Sequence, residues 1–182
     1  MNSMVYCAVM ALPNDYAQQS CSVASSLEVI GERWTLLIVR DAFFGVQRFS
    51  DFAIRLGIPR AVLTDRLNSL VESGVLVRTP PDARRGRYEL TPKGIALWPV
   101  VHALYSWGDE FYAPNGVRRE FWHDADDGRI DSYRMCAVCG AQVEPGAIVV
   151  TPGPGYAAGA SKFDPVSLAL AEPRHLLEPV LL

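Results

Sequence analysis

Long apolar runs are missing from this chain of 182 residues. A membrane-spanning helix needs about 20 consecutive apolar residues, and no such stretch occurs. The opening stretch, Met1–Leu12, is mildly apolar, but no Lys or Arg precedes it, so it makes a poor secretion signal. Repeats and low-complexity blocks are missing as well. We therefore expect a cytoplasmic protein with no membrane partner.

Residues for catalysis or dense cross-linking are also scarce. The chain has no Gly-rich phosphate loop and no HExxH or GxSxG motif. Its few cysteines are too widely spread for the disulfide scaffold of a small secreted domain. They are Cys7, Cys21, Cys136 and Cys139. We expect neither an enzyme nor a required cofactor.

The net charge of −3 argues at first against a nucleic-acid partner, but the charge is unevenly distributed. Residues 1–32 and 94–182 are acidic, whereas Arg33–Lys93 holds 11 Lys or Arg against 6 Asp or Glu. A basic middle segment fits duplex DNA, because neutralised phosphates supply most non-specific affinity. Accidental clustering of charged residues on a solvated surface explains the distribution equally well. The sequence motifs are therefore needed to distinguish a DNA-binding segment from an ordinary surface.

Hydrophobic periodicity predicts four helices. The first precedes the basic segment, and the other three lie within it. The first runs from Ser22 or Val23 to Ile30. The second, Trp34–Phe44, is apolar almost all round and should be central and buried. Two amphipathic helices follow across a tight turn, and this is the helix-turn-helix pattern. Their apolar stripes are Phe49, Phe52, Ala53 and Leu56, then Leu63, Leu67, Leu70 and Val71 in a helix from Pro59 to about Ser73.

A hairpin is predicted next, because the residues of Val75–Thr79 alternate as in a strand and pair with Arg87–Leu90 across a polar loop. A helix-turn-helix followed by such a hairpin is a winged helix. The predicted fold class is therefore α+β, mainly helical. We expect an N-terminal arm (1–19), a winged helix-turn-helix domain (20–113), a small β-rich, ribbon-like extension carrying a CxxCG motif (114–155) and a C-terminal tail (156–182).

A fifth helix should open at Thr91, with Pro99 inside it as a kink. Its two apolar stripes exceed what one small domain can bury, which predicts a partner chain. The candidate dimer residues are Leu97, Trp98, Val101, Leu104, Tyr105 and Trp107.

The fourth helix is the candidate reading helix, since Asn and Arg can bond base edges, while Thr and Ala can contact the thymine methyl. Its outward residues, with the helix start, are Pro59, Arg60, Ala61, Thr64, Asp65 and Asn68. Arg84, Arg85 and Arg87 crowd the hairpin, where cations repel one another unless an anion such as phosphate is near. Arg48 and Ser50 are further phosphate candidates. The alternative is an ordinary solvated helix face.

Several segments together resemble the HxlR-type winged-helix regulators, which are related to the MarR group. They are Cys21–Val23, Glu28–Arg40, Arg48–Phe52, Ala61–Leu67, Glu72–Leu76, Tyr88–Gly94 and Trp98–Trp107. The resemblance implies a homodimeric repressor that binds a pseudo-palindromic operator in double-stranded DNA, with the first and fifth helices pairing the subunits. Pro59 departs from the polar cap that members usually have. The effector of such a regulator stays open, and so does the choice between repression and activation.

The resemblance also assigns a role to Cys21, which matches the cysteine that senses oxidants or electrophiles in many members. Its position just before the first helix favours the thiolate form. The alternative is a small residue kept for packing.

The motif Cys136-Ala-Val-Cys139-Gly can supply one side of a tetrahedral zinc site. Some members of the family carry a C-terminal ribbon with a His and a Cys-Gly ahead of this motif. His123 is present here, and Asp127 stands where the cysteine would be, so the pattern has either decayed or gained a carboxylate ligand. A metal-free ribbon, a disulfide and a four-cysteine site across a dimer stay open.

Two other functions compete with DNA binding. The first is a thiol oxidoreductase that uses the C-terminal CxxC, although no strand–helix redox pattern surrounds the motif. The second is a protein-interaction module that has kept a winged helix without binding DNA.

Overall fold

A computed structural model describes Tyr16 and residues 18–80, 86–156 and 164–181 of the chain. The helices are α1 (Ser22–Ile30), α2 (Thr35–Phe43), α3 (Phe49–Leu56), α4 (Arg60–Glu72), α5 (Pro92–Ile95), α6 (Trp98–Tyr112) and α7 (Pro165–Ala169). The strands are β1 (Leu76–Thr79), β2 (Arg87–Leu90), β3 (Arg119–His123), β4 (Ile148–Pro152) and β5 (Arg174–His175). A winged helix and a small β-rich extension, as predicted, make this an α+β fold that is mainly helical.

Helix α2 lies at the centre of the core, as its apolar sequence predicts. Ile38, Val39 and Phe43 have no exposed surface, and Phe43 packs on the ring of Trp98 with the ring centroids 5.1 Å apart. Burial of one such side chain stabilises the fold by about 1.5–3 kcal/mol. Helices α3, α4 and α6 pack against α2.

The turn between α3 and α4 sets the helix-turn-helix geometry. Gly57 ends α3 with a φ of 62°, a left-handed conformation that glycine adopts without steric cost. Pro59 is the N-cap of α4 and not its first helical residue, because its ψ of 135° is extended. The leucine stripe of α4 is buried as predicted, in Leu63, Leu67 and Leu70.

Strands β1 and β2 form the predicted hairpin. They are antiparallel, with Leu76 opposite Leu90 and Thr79 opposite Arg87. The hairpin is tied to the start of α3, since the backbone N–H of Tyr88 donates to the carbonyl of Gln47 at 2.8 Å. This bond places β2 beside α3.

The predicted fifth helix is two helices. Thr91 caps the first as expected, accepting a hydrogen bond from the N–H of Gly94 at 3.1 Å. That helix ends after one turn, and α6 starts at Trp98, so Pro99 lies in the first turn of α6 and does not kink its interior. A proline in the first turn costs no backbone hydrogen bond, which explains why the helix restarts there.

The C-terminal half forms an antiparallel sheet in the order β3-β4-β5, and the chain between β3 and β4 is a ribbon-like turn. The sheet packs on the winged helix: the guanidinium of Arg119 lies 5.5 Å from the centre of the Phe44 ring and 4.3 Å from that of Tyr156.

Residues 164–181, called the C-terminal segment below, dock against α2 and α3. The backbone N–H of Leu177 donates to the carbonyl of Phe43 at 2.7 Å, and that of Val180 donates to the carbonyl of Gly45 at 2.9 Å. The short helix α7 lies on α3, where Arg55 donates to the hydroxyl of Ser167 at 3.0 Å. Because Val166, Leu170 and Leu176 are buried, this segment belongs to the packed structure.

None of the described helices is long and apolar enough to cross a membrane.

Candidate functional site

Four arginines and an exposed serine line one cleft between the start of α3, the start of α4 and the hairpin. The cleft encloses about 870 Å³. Its described lining residues are Arg48, Phe49, Ser50, Arg60, Arg78, Gly86, Arg87 and Tyr88. None of these lining residues is acidic, so the cleft, called the arginine cleft below, favours an anion.

Backbone and ring contacts hold the arginines in place. Arg48 and Arg87 are paired across an isolated antiparallel bridge, which brings α3 and β2 together. The guanidinium of Arg60 lies 4.8 Å from the centre of the Phe49 ring, and that of Arg78 lies 5.8 Å from the centre of the Tyr88 ring. Stacking on a ring orients a guanidinium while its N–H groups can still bond phosphate oxygens.

The outward face of α4 adjoins this cleft through Arg60. All the predicted reading residues of the helix are exposed, namely Arg60, Ala61, Thr64, Asp65 and Asn68. The hydroxyl of Thr64 donates to the carbonyl of Arg60 at 2.9 Å, so it meets a base as an acceptor or through its methyl group. The middle of the helix is braced from behind by the Arg66–Glu32 ion pair at 3.5 Å.

The other predicted phosphate contacts are placed less uniformly. Ser50 is exposed beside Arg48, where its hydroxyl donates to Asp51 at 2.9 Å. Arg87 is exposed on β2. Arg84 and Arg85 lie outside the described residues. Arg78 was not among the predicted site residues, although its place in the predicted first strand of a cationic hairpin was the available signal; it lies opposite Tyr88.

The candidate dimer residues of α6 fall into two groups. Trp98 and Val101 are buried in the core of the same chain, which corrects their assignment to a partner interface. Leu104 and Trp107 are exposed, whereas Leu97 and Tyr105 are half-buried. The exposed apolar surface continues to the end of the helix in Phe111 and Tyr112, which are 60% and 61% exposed. We call Leu104, Trp107, Phe111 and Tyr112 the α6 face.

Cys21 is exposed at the N-cap of α1, and its side chain makes no capping hydrogen bond. The thiol therefore lies at a helix N-terminus, as the sequence indicated, and the structure adds that it is in contact with solvent.

A second cluster gathers donor atoms suited to a metal ion. The imidazole of His123, the carboxylate of Asp126 and the thiols of Cys136 and Cys139 place one ligand atom each within 4.8 Å of all the others. The sulfur of Cys139 lies 3.5 Å from Nδ1 of His123, and the thiol of Cys136 donates to Oδ1 of Asp126 at 3.2 Å. We call these four residues the ribbon cluster.

The carboxylate of this cluster is that of Asp126, which corrects the predicted Asp127. Asp127 adopts a left-handed φ of 53° in the turn after β3, and its N–H donates to the carbonyl of His123 at 2.9 Å. Turn geometry, which the spacing of the residues does not specify, therefore selects the neighbour. Hydrogen bonds from the thiols of Cys139 and Cys136 lower the pKa of Asp126 to about 2.

The donor set fits zinc. Two sulfurs bound to one tetrahedral zinc lie about 3.8 Å apart, from Zn–S bonds of about 2.3 Å, so side-chain shifts of about 1 Å would close the set. Gly128 leaves the room that the cluster needs, since a Cβ there would lie 2.2 Å from the sulfur of Cys136 and 2.9 Å from the carboxylate of Asp126.

Comparison with known proteins places these features in context. The family model for HxlR-like helix-turn-helix proteins matches residues 29–115. The HTH-type transcriptional regulator Rv3095 of Mycobacterium tuberculosis is 42% identical over 140 residues, which cover 75% of this chain and 89% of that protein. The HTH-type transcriptional regulator YvaP of Bacillus subtilis is 34% identical over 93 residues, covering 50% of this chain and 86% of that protein.

Among solved structures, that of the transcription factor PA1607 superposes with a TM-score of 0.56 at 40% identity. The match covers 69% of this chain and 90% of the other. Since the alignment with Rv3095 is longer than the segment matched by the family model, the likeness extends beyond residues 29–115.

Proposed function

Because this chain belongs to the HxlR-like helix-turn-helix family of transcriptional regulators, we propose that it is a homodimeric repressor that binds a pseudo-palindromic operator. The observation that carries the proposal is the continuity of the arginine cleft with the exposed polar face of α4. One element supplies phosphate contacts and the other supplies side chains that can reach base edges.

In this proposal α4 enters the major groove and the hairpin follows the flanking phosphates. Arg60 and Asn68 are suited to guanine and adenine edges, and Thr64 to a thymine methyl group. The guanidinium groups of the cleft bind phosphate oxygens, and Arg84 and Arg85 are proposed as further phosphate contacts. Two equivalent half-sites about one helical turn apart would be needed for two symmetry-related copies of α4.

The homodimer is proposed to form through the α6 face together with α1. The ring of Trp107 contacts those of Phe111 and Tyr112 at the surface in tilted arrangements, with centroid distances of 5.7 Å and 5.1 Å. Val23 on α1 is 66% exposed. Contiguous exposed aromatic surface of this kind is typical of protein interfaces.

The proposed repression is steric, because a dimer bound over a promoter excludes the polymerase. Deleting the gene should raise transcription from the bound promoter, and a fall would indicate an activator. Because the target is chromosomal DNA, we place the protein in the cytoplasm.

Cys21 is proposed to sense oxidants or electrophiles, because its thiol is exposed at a helix N-terminus. Mass spectrometry after mild treatment with diamide or a quinone tests this. An unmodified Cys21 in protein that has already released DNA would contradict it.

The ribbon cluster is proposed to bind one Zn²⁺ through His123, Asp126, Cys136 and Cys139. Bound zinc would act structurally, closing the turn between β3 and β4, because four protein ligands leave no open position for catalysis. Metal analysis of protein purified without chelators should give one zinc per chain. Asp126→Asn should reduce the zinc content, whereas the control Asp127→Asn should retain it.

A mobility shift on the promoter region of the protein's own gene tests the central proposal. Specific, competitor-resistant binding is expected. A protein that binds no duplex would favour an interaction module, and thiol–disulfide exchange activity with model substrates would favour an oxidoreductase.

A further inference from the structure

The two cysteines of the ribbon cluster differ in their access to solvent. Cys139 is exposed and Cys136 is buried, and their sulfur atoms lie within 4.8 Å of each other. A two-step thiol oxidation needs this asymmetry, because an accessible sulfur meets the oxidant and a protected sulfur nearby completes the disulfide.

We propose that the ribbon cluster is a peroxide-sensitive switch, in which oxidation of Cys139 and Cys136 to a disulfide expels the metal ion and weakens DNA binding. The proposal rests on the zinc site and the DNA binding proposed above. It adds a sensing site that is separate from Cys21.

The chemistry uses one hydrogen peroxide molecule as the two-electron oxidant. The thiolate sulfur of Cys139 attacks one peroxide oxygen, the O–O bond breaks, and a sulfenic acid forms while the second oxygen leaves as water after taking up a proton. The thiolate of Cys136 then attacks the sulfenic sulfur. The S–S bond forms, the hydroxyl leaves as a second water after protonation, and Zn²⁺ loses two of its four ligands.

The ribbon cluster is joined to the sheet through β3, and the residue after its histidine also contacts β5. His123 ends β3 opposite Ile148 of β4, and the neighbouring Asp124 pairs with His175 of β5 at 3.6 Å. The N–H of Leu176 donates to the carbonyl of Ile148 at 2.9 Å. A change in the turn that carries the cluster therefore acts directly on β5.

The chain after β5 contacts the DNA-binding half. Leu177 and Val180 bond the backbone at Phe43 and Gly45, a few residues before Arg48 in the arginine cleft. Packing at Gly45 is close, since a Cβ there would lie 1.7 Å from the carbonyl oxygen of Glu178. Contiguous backbone contacts thus run from the ribbon cluster to the base of the cleft.

The test uses the full chain with Cys7→Ser and Cys21→Ser, purified in reduced, zinc-loaded form. Hydrogen peroxide is added, and zinc release, the Cys136–Cys139 disulfide and affinity for the promoter fragment are measured on the same samples. We expect one zinc released per disulfide and a Kd raised about fivefold or more, the lower end for coupled sites. Dithiothreitol with zinc should restore binding.

Two further variants identify the order of reaction. With Cys136→Ser, oxidation should stop at a sulfenic acid on Cys139 that dimedone labels. With Cys139→Ser, the buried Cys136 should stay unlabelled. Circular dichroism checks that each variant is folded. If either variant is unfolded, the proposal is judged on the Cys7→Ser, Cys21→Ser protein alone.

Retention of zinc and of both thiols under peroxide would overturn the switch, as would a disulfide that leaves the Kd unchanged. Two failures are visible before peroxide is added. Reduced protein without zinc contradicts the metal site, and reduced protein that does not bind DNA contradicts the proposed function; each removes the switch as well.

Discussion

The most direct prediction concerns the salt dependence of DNA binding by the arginine cleft. Each neutralised phosphate contributes about −0.9 to the slope of log K against log salt concentration. Arg87 is exposed in the cleft, and the proposed dimer has two copies. Arg87→Gln should therefore make the slope less negative by about 1.8. Between roughly 50 and 200 mM salt, the variant should lose about 12-fold less affinity than the parent protein.

Fluorescence anisotropy on operator and scrambled duplexes, at several salt concentrations, measures this slope. Arg87→Gln should weaken binding to both duplexes by the same factor, since a phosphate carries no sequence information. The matched control is Arg129→Gln, which removes one positive charge from the C-terminal half, where Arg129 pairs with Glu120 at 3.3 Å. Its slope should equal that of the parent protein.

If α4 reads bases, Asn68→Ala should change sequence discrimination, whereas Arg87→Gln should change the salt dependence. It should reduce discrimination between the duplexes by about 1–3 kcal/mol per lost base contact, with no change in slope. An unchanged slope for Arg87→Gln would contradict the phosphate contact. Equal weakening of both duplexes by both variants would contradict base reading by α4.

Three further predictions concern assembly and stability. Trp107→Glu should convert the proposed dimer to a folded monomer, because it places a charge in the α6 face; sedimentation velocity that still shows a dimer would contradict this. Gly45→Ala should destabilise the chain in urea by more than about 1–3 kcal/mol, since a positive φ and the contact with Glu178 both oppose a side chain. The control is Gly74→Ala, because Gly74 also has a positive φ but a Cβ there would meet nothing within 4 Å. If both variants lost the same free energy of unfolding, the contact with Glu178 would be unimportant. Burial raises the pKa of Tyr105 to about 12, above the value of about 10 in the unfolded chain. The neutral side chain therefore contributes fully to the free energy of unfolding below about pH 10, and this contribution is lost as the pH rises toward 12. Tyr105→Phe should lessen the alkaline loss of stability in urea unfolding, and an unchanged loss would contradict the assignment.

The helix-turn-helix and the hairpin were predictable because each is specified by short-range sequence patterns. The leucines of α4 repeat at helical spacing, and all of them from Leu63 to Leu70 are buried. The break before α6 was not predictable in this way. A proline inside a continuous apolar pattern is compatible with a kink or with a restart, and the packing of Trp98 on Phe43 favours the restart.

Apolar periodicity also does not reveal which surface covers a helix. Trp98 and Val101 repeat with the same spacing as Leu104, yet they pack into the core of their own chain while Leu104 is exposed. The C-terminal half fills the space over the first turns of α6, where Phe121 stacks on Trp98 at 5.5 Å. Only the remaining turns are left for a partner.

The docking of the C-terminal segment had no comparable signal. Its elements are a single helical turn and a two-residue strand, which are too short to be stable alone. They persist because Val166 and Leu170 are buried against the rest of the protein, a contact between residues far apart in sequence. The choice of Asp126 over Asp127 depends in the same way on a turn conformation and not on residue type.

Asp65 bears on how α4 meets DNA. It is exposed on the same face as Ala61 and Asn68, four residues before it and three after it, so a helix lying along the phosphates would bring its carboxylate against negative charge. Inside the major groove the same carboxylate can accept a hydrogen bond from the amino group of cytosine. The arginine cleft lies at the start of the helix and on the hairpin, where phosphates flank an inserted helix. The placement of one acidic residue on the face and the basic residues beside it therefore favours insertion over lateral binding, because only insertion gives each charge a complementary partner.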